Sequence, residues 1–303
     1  MADIKSANSL AELPALDLSA DDLFPIWDSS AQTWKMVRHG NVMWRAFDSD
    51  VLAWRDAVVV NGGTVSAARL VIVDQFVYAE KAAGLWALTD DYLGFWAENA
   101  VQALTSIKQK RLATAVNSPT FTTDRDYTFN GTTSYSDSGF VPATHAAAMT
   151  LNSAHAEVYG RTNADAATSS LGVNSGSNRA IAVFPRDAGT VKVAANGVGA
   201  VYTLSPLTSA GLTQFGRNGG TVNDVYGAKN GVDLVRTSPH TSLGASLPSH
   251  SFYIGGTNVS GVLGQPRACS IGYAAWGAAL NATQRLARYT NVQAWATAVG
   301  AQV

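Results

Sequence analysis

Cleavage of a glycosidic bond needs two carboxylates flanking it, one as acid and one as nucleophile or base. After residue 117 the chain has a single glutamate, Glu157, in His155-Ala156-Glu157-Val158. Asp124 and Asp126 are two apart and would share a strand face, yet they precede the strand-like run at Tyr127 and read as turn residues. A depolymerase would need Asp137, Glu157 and Asp224 to meet in one groove. Other chemistries lack their residues. Gly172-Val173-Asn174-Ser175-Gly176 misplaces the serine of a nucleophile elbow, and no phosphate-binding Gly-x-x-x-x-Gly-Lys loop occurs. His39, His145, His155, His240 and His250 are scattered, with no pair at zinc-ligand spacing. Cys269 is the only cysteine, which rules out an intrachain disulfide and reads as a small buried hydrophobe. The expectation is a protein that is not an enzyme and has no cofactor.

Totals narrow the partners. A net charge of −1 with 14% charged residues argues against nucleic acid, whose phosphates need clustered Lys and Arg. No apolar run approaches the roughly 18 residues of a membrane span. The opening Met-Ala-Asp-Ile-Lys-Ser-Ala-Asn lacks the basic-then-apolar order of a signal peptide, so synthesis in the cytoplasm is expected. The sequons at Asn130, Asn258 and Asn281 then read as chance.

The elements that would position any site fall into three stretches: 1–45, 46–116 and 117–303. In the first, Leu13-Pro14 and Phe24-Pro25 favour extended backbone. Residues 23–27 read as a strand and 33–37 as its return. A lone hairpin cannot bury enough apolar surface, so Leu23, Phe24, Pro25, Ile26, Trp27, Trp34 and Val37, with Leu13 and Pro14, read as a docking surface. The second stretch reads as helical. Asp48-Ser49-Asp50 caps a helix to Val60, Thr64 or Ser66 caps a second carrying Leu70, Val73, Phe76 and Val77, and Gly84 ends it. Thr89-Asp90-Asp91 then opens a third with Tyr92, Trp96, Ala100, Ala103 and Ile107 on one side. Lys108, Lys110 and Arg111 complement its dipole.

In the third stretch aromatics at Tyr127, Phe129 and Tyr135 surround Asn130-Gly131, the strongest short hairpin signal. Strands are expected over 146–159, 179–184, 190–194, 200–204, 213–217, 222–226, 234–237, 251–254 and 268–273. Their spacing and Gly/Asn/Ser turns predict a mainly β sandwich or jelly roll. A last helix capped by Asn281 or Thr283 carries Leu286, Tyr289, Val292 and Trp295, and closes an edge or end of the sandwich. The loop-rich stretches 160–176, 217–232 and 239–265 hold ordinary turn formers, and no glycan-binding residue can be named from them.

Two resemblances go further. Ala2-Asp3-Ile4-Lys5, Leu13-Pro14, Asp21-Asp22-Leu23-Phe24-Pro25-Ile26 and Thr33-Trp34-Lys35-Met36-Val37 resemble the opening of tailed-bacteriophage tail-fibre and appendage proteins. In that family the segment anchors the appendage to the virion. Phe129-Asn130-Gly131, Tyr135, Gly139-Phe140, Tyr226 with Asn230-Gly231, and the closing 270–276 run with Leu280, Thr283 and Tyr289 resemble concanavalin-A-like, laminin-G-like jelly rolls. The helical run with Gly84-Leu85-Trp86 and Asn117-Ser118-Pro119 resembles the leader before such jelly rolls in phage proteins. The resemblance implies a non-catalytic virion protein, a homotrimer bound to other virion proteins, with a jelly roll facing host-surface glycans. The jelly-roll glucanases' Glu-x-Asp-x-x-Glu pattern is missing. Laminin-G-like domains sometimes bind calcium, for which Asp137, Asp224 or Asp233 would serve, though no motif fixes it. The alternatives are a depolymerase and a free lectin-like protein.

Overall fold

The computed structural model describes residues 46–303 and, before them, the backbone of two strands, β1 (Leu23–Asp28) and β2 (Thr33–Arg38). The chain divides into two compact units, Met1–Ala46 and Phe47–Val303. In the first, β1 and β2 pair antiparallel with Phe24 opposite Val37 and Trp27 opposite Trp34. The expected hairpin is therefore present. Leu13 and Pro14 lie outside the described residues.

The second unit opens with α1 (Ser49–Val60), capped by Asp48, and α2 (Ala67–Ala82), capped by Ser66. There follow β3 (Thr89–Gly94), α3 (Ala100–Leu104), β4 (Thr114–Val116), β5 (Thr120–Thr122), β6 (Asp126–Asn130), β7 (Tyr135–Asp137) and α4 (Pro142–His145). Next come β8 (Ser153–Gly160), β9 (Leu171–Asn174), β10 (Ala180–Asp187), β11 (Thr190–Ala195), β12 (Gly197–Val198), β13 (Ala200–Thr203) and β14 (Gly211–Asn218). The chain closes with β15 (Val225–Lys229), β16 (Val232–Asp233), β17 (Arg236–Ser238), β18 (Ser242–Leu243), β19 (Tyr253–Ile254), β20 (Thr257–Val259), β21 (Val262–Gly264), β22 (Ala268–Gly277) and α5 (Ala282–Ala298).

The fold is a mainly β jelly-roll sandwich. One sheet runs β17-β13-β11-β10-β9-β19-β7-β4, with β20 and β21 attached at β9. The facing sheet runs β16-β15-β14-β8-β22-β6-β5, with β3 also paired to β22. Between the sheets lies a core that includes Phe129, Phe140, Val158, Val183, Phe215, Phe252 and Trp276. A second core lies on the outer face of the β8–β22 sheet, where α1, α2 and α5 contribute Trp54, Phe76 and Trp295 against Tyr92, Tyr159 and Tyr273. Strand alternation produces both cores: Ala154, Ala156 and Val158 point into the sandwich, while Tyr159 points to the helices.

The segment 46–116 differs from the expected run of three helices. Leu70, Val73, Phe76 and Val77 form a buried helix face as anticipated. Residues 89–94, however, are a strand antiparallel to β22, with Tyr92 opposite Ala275. Tyr92 and Trp96 are four apart, which fits a helix face, but an even separation also places them on one face of an extended chain. Leu93, Phe95 and Ala97 enter the inter-sheet core, and Tyr92 and Trp96 the helix-side core. Period two is the right reading. The supposed caps Asp90 and Asp91 serve loops instead: Asp90 accepts from the N–H groups of Ala147 and Ala148, each at 2.7 Å.

Turn chemistry also divides. Asn230 and Gly231, at φ 50° and 78°, join β15 to β16 as a two-residue hairpin, the positive-φ turn the pair favours. Asn130-Gly131 does not make a hairpin, because β6 pairs with β5 and β22 while β7 pairs with β19 and β4 in the other sheet. Asn130 Oδ1 instead accepts from the N–H groups of Thr132, Thr133 and Ser134, and the chain crosses between sheets. The stretch 146–159 is strand only from Ser153. Strands β9, β20 and β21 occupy stretches that read as loops. Helix α5 is capped by Asn281 with a capping box to Gln284, and it packs on α2 over the sheet face rather than at a sandwich edge. Its buried residues are Arg285, Arg288, Val292, Trp295 and Ala296, and Leu286 is exposed.

Glycines set the spacing between sheet and helices. A Cβ at Gly94 would collide with the Trp295 ring, and one at Gly272 with the Trp96 indole. The two rings meet edge to face at 5.6 Å. Gly94→Ala is expected to destabilise the fold by about 1–3 kcal/mol, as overpacking does. A denaturant midpoint shift worth less than about 0.5 kcal/mol would mean the Trp295 ring can move aside freely.

Candidate functional site

Glu157, the lone glutamate beyond residue 117, sits on β8 with its side chain toward the helices and no solvent exposure. Gln214 faces it on β14, and Gln214 Nε2 donates to Glu157 Oε2 at 3.1 Å. The Tyr273 hydroxyl donates to Oε1 at 2.8 Å. From α5, Arg288 Nη1 pairs with the same oxygen. Arg288 Nε also pairs with Glu80 of α2 at 2.9 Å, and Nη2 donates to Thr89 Oγ1 at 2.6 Å. Glu80 in turn accepts from the Tyr92 hydroxyl and from Asn291 Nδ2, each at 2.9 Å.

Two carboxylates and one guanidinium are thus enclosed together. Burial holds the Glu80 carboxyl above the usual range, against the pull of Arg288. Burial and the nearby carboxylates push the Tyr92 and Tyr273 hydroxyls well up, so both stay protonated donors. Carboxyls whose environments differ often mark an acid–base pair. Here Glu80, Glu157 and Arg288 are all fully buried, so a substrate cannot touch them. The cluster ties α2, α5 and β8 together.

The remaining carboxylates beyond residue 117 are Asp124, Asp126, Asp137, Asp165, Asp187, Asp224 and Asp233. Asp124 pairs with Arg69 at 2.5 Å and Asp126 with Arg161 at 2.7 Å. Asp165 pairs with Arg186, Asp187 with Lys192, and Asp233 with Arg285. Asp137 accepts from Gly139 N–H at 2.9 Å and Asp224 from Thr221 N–H at 2.7 Å. Asp137, Glu157 and Asp224 do not meet: β7 belongs to the sheet opposite β8, and Asp224 lies in the loop before β15. Asp137, Asp224 and Asp233 lie on β7, in the loop before β15 and on β16, and among the described residues no group of three or more His, Cys, Asp or Glu could hold a metal.

The histidines are separate as well, and His39 lies outside the described residues. His145 Nδ1 accepts from Val141 N–H at 2.8 Å, His155 Nδ1 bonds Ala278 O, and His250 Nδ1 pairs with Ser175 Oγ at 3.0 Å. Neither nitrogen of the buried His240 has a hydrogen-bond partner. Cys269 is buried, and its thiol is pushed up to about 12 by burial. Lys229 is buried, donates to Ser209 O and Thr213 Oγ1, and is pulled down to about 7 by burial.

Surface cavities among the described residues include two. One of about 120 Å³ lies between α2 and α5, beside Ile72, Phe76, Ala79, Asn291, Ala294 and Trp295. The other, about 330 Å³, is lined by Ala87, Asp90, Lys108, Gln109, Ala147 and Ala148. Lys108 Nζ donates to Trp86 O at 2.6 Å and Thr89 O at 2.5 Å. Trp86 stacks on Tyr92 at 5.3 Å, with Lys81 and Lys108 ammonium groups 5.2 and 5.3 Å from its ring. Sequence reasoning assigned Asp90 and Lys108 to the two ends of a helix and so missed this cavity. The alternation of Tyr92, Trp96 against Leu93, Phe95 was the available signal.

The docking residues Leu23, Phe24, Pro25, Ile26, Trp27, Trp34 and Val37 lie on β1 and β2, where only the backbone pairing is described. Among the described residues no helix is long and apolar enough to cross a membrane.

No protein-family model matches the chain, and no curated protein matches it. Among solved structures it is similar to domain 4 of an extracellular arabinanase from Geobacillus stearothermophilus, bound to arabinotriose. Identity there is 14%, over 66% of this chain and 97% of that domain, with a TM-score of 0.42. A Trypanosoma rangeli sialidase gives 12% over 74% of this chain, with TM-score 0.42; this chain spans 39% of its length. Mouse laminin α1 domains LG4-5 give 16% over 60% of this chain and 46% of that one, with TM-score 0.33. These likenesses are distant.

Two outcomes follow from the buried groups. Arg288→Met leaves two enclosed carboxyls without their cation and is expected to cost about 3–5 kcal/mol in urea denaturation. A loss below about 1 kcal/mol would show that the cluster does not hold the layers. Burial also pulls His155 and His240 down to about 4, from about 6.5 in an unfolded chain. Between those values the unfolded chain takes up protons that the folded one refuses. Stability therefore falls as pH falls through that window, by up to about 1.4 kcal/mol per unit for each histidine. Glu80, held high, titrates with the opposite sign, so the informative quantity is a difference. His240→Asn should lessen the fall in denaturation midpoint from pH 6.5 to 4; an unaltered fall would exclude His240 as its source.

Proposed function

We propose that this chain is a non-catalytic structural virion protein of a tailed phage, a fibre, spike or decoration displaying a glycan-facing jelly roll. One observation carries the non-catalytic half: every carboxylate beyond residue 117 is engaged by a cation or a backbone N–H of its own fold. Glycosidic cleavage needs one carboxyl free to give a proton and another poised across the bond. That engagement supports the non-catalytic reading. The attachment half rests on the resemblance of residues 1–45 to appendage openings, which the β1–β2 pairing supports. Attachment to other virion proteins, trimerisation and location on the particle belong to the same proposal, by analogy with that family.

Density-purified particles from the source should contain the chain at a defined copy number, a multiple of three, and a chain lacking residues 1–45 should be missing from them. Absence of the full chain from particles would overturn the virion reading and favour a free lectin-like protein. Reducing sugar released from a host polysaccharide, and lost on changing Asp137, Glu157 or Asp224, would overturn the non-catalytic reading.

A further inference from the structure

The 330 Å³ cavity beside Ala87 is assembled from three separate stretches: the turn before β3 with the start of β3, the loop after α3, and the segment after α4. Its volume lies at the lower end of the roughly 300–1,000 Å³ typical of small-ligand sites. Two charged side chains share its wall, and each has bonding capacity left over. An ammonium has three donors; Lys108 uses two, on the carbonyls of Trp86 and Thr89. It makes no ion pair with any carboxylate among the described residues. A carboxylate has about four lone-pair positions; Asp90 fills three, with the N–H groups of Ala147, Ala148 and Met149. These bonds fix both side chains before anything enters, which lowers the ordering cost of binding.

One donor-bearing and one acceptor-bearing residue therefore line the same small cavity, together with Ala87, Ala147 and Ala148. The charges oppose one another, and Asp91 lies just behind, accepting from the N–H groups of Lys108 and Gln109 at 3.1 Å. The local balance does not favour an added anion. Adjacent hydroxyls fit, since one can accept from Lys108 while its neighbour donates to Asp90.

We propose that this cavity is a subsite for one neutral sugar ring, whose neighbouring hydroxyls bridge Lys108 and Asp90. The proposal rests on the glycan-facing reading above and adds to it a place and a ligand class. Calorimetric titration of the full chain with neutral oligosaccharides, and with their uronate-containing counterparts, tests it. Lys108→Met removes the donor. Ala87→Trp fills the cavity from an exposed position and leaves the core untouched. Lys192→Met, on β11 in the other sheet, is the reference. A neutral oligosaccharide should bind, at least tenfold more weakly to Lys108→Met and Ala87→Trp, and equally to Lys192→Met. Binding unchanged in both cavity variants, or confined to uronate-containing sugars, overturns the subsite and leaves glycan binding standing. Binding of no saccharide at all overturns both.

Discussion

The three layers are held by one enclosed cation. Arg288 on α5 reaches across to Glu80 on α2 and Glu157 on β8, and donates to Thr89 at the start of β3. Enclosing ions is costly unless each is paired and its remaining hydrogen-bonding capacity is met. Tyr92, Tyr273, Asn291 and Gln214 meet much of it, while Arg288 Nε is held by ion pairing with Glu80 alone. Each comes from a different element, so the cluster is complete only in one arrangement of helices on sheet. Apolar packing of Phe76, Trp96 and Trp295 supplies most of the contact, but such packing is non-directional. The polar set fixes the register.

That arrangement covers the outer sheet face. In an open sandwich the outer face of β14, β8 and β22 would be available to a ligand. Here α1, α2 and α5 cover it, and the side chains that might have lined a groove are turned to holding the cover down. Glu157 is the clearest case, since its chemistry suits catalysis and its position forbids it. Surface cavities lie between α2 and α5 and at the seam where the segment before β4 meets the sandwich loops. The cavity at Ala87 lies at that seam, and its polar wall is made by residues that also brace the loops.

The same segment shows how a covering layer becomes part of a sandwich. Strand β22 is long enough to pair along one edge with β8 and along the other with β6 and then β3. Without β3, residues 273–277 would present an open edge, with unpaired backbone groups prone to pairing elsewhere. Residues 47–116 thus complete the sheet as well as cover it, and Phe47–Val303 is one compact unit.

Local chemistry was legible wherever a local interaction decided the outcome. The caps Asp48, Ser66 and Asn281, the Asn230-Gly231 turn, the face of α2 and the strand-rich half all follow from bonds within a few residues. That Glu157 is the single glutamate beyond residue 117 was visible directly. Tertiary structure decided the rest. Tyr92 and Trp96 satisfy a period of four and of two alike, and only the free edge of β22 selects the strand. Asn130-Gly131 becomes an inter-sheet crossing because β6 pairs with β22 in one sheet and β7 with β4 in the other. Arg288 and Glu157, 131 residues apart, meet through packing alone, and no spacing in the chain could have announced it.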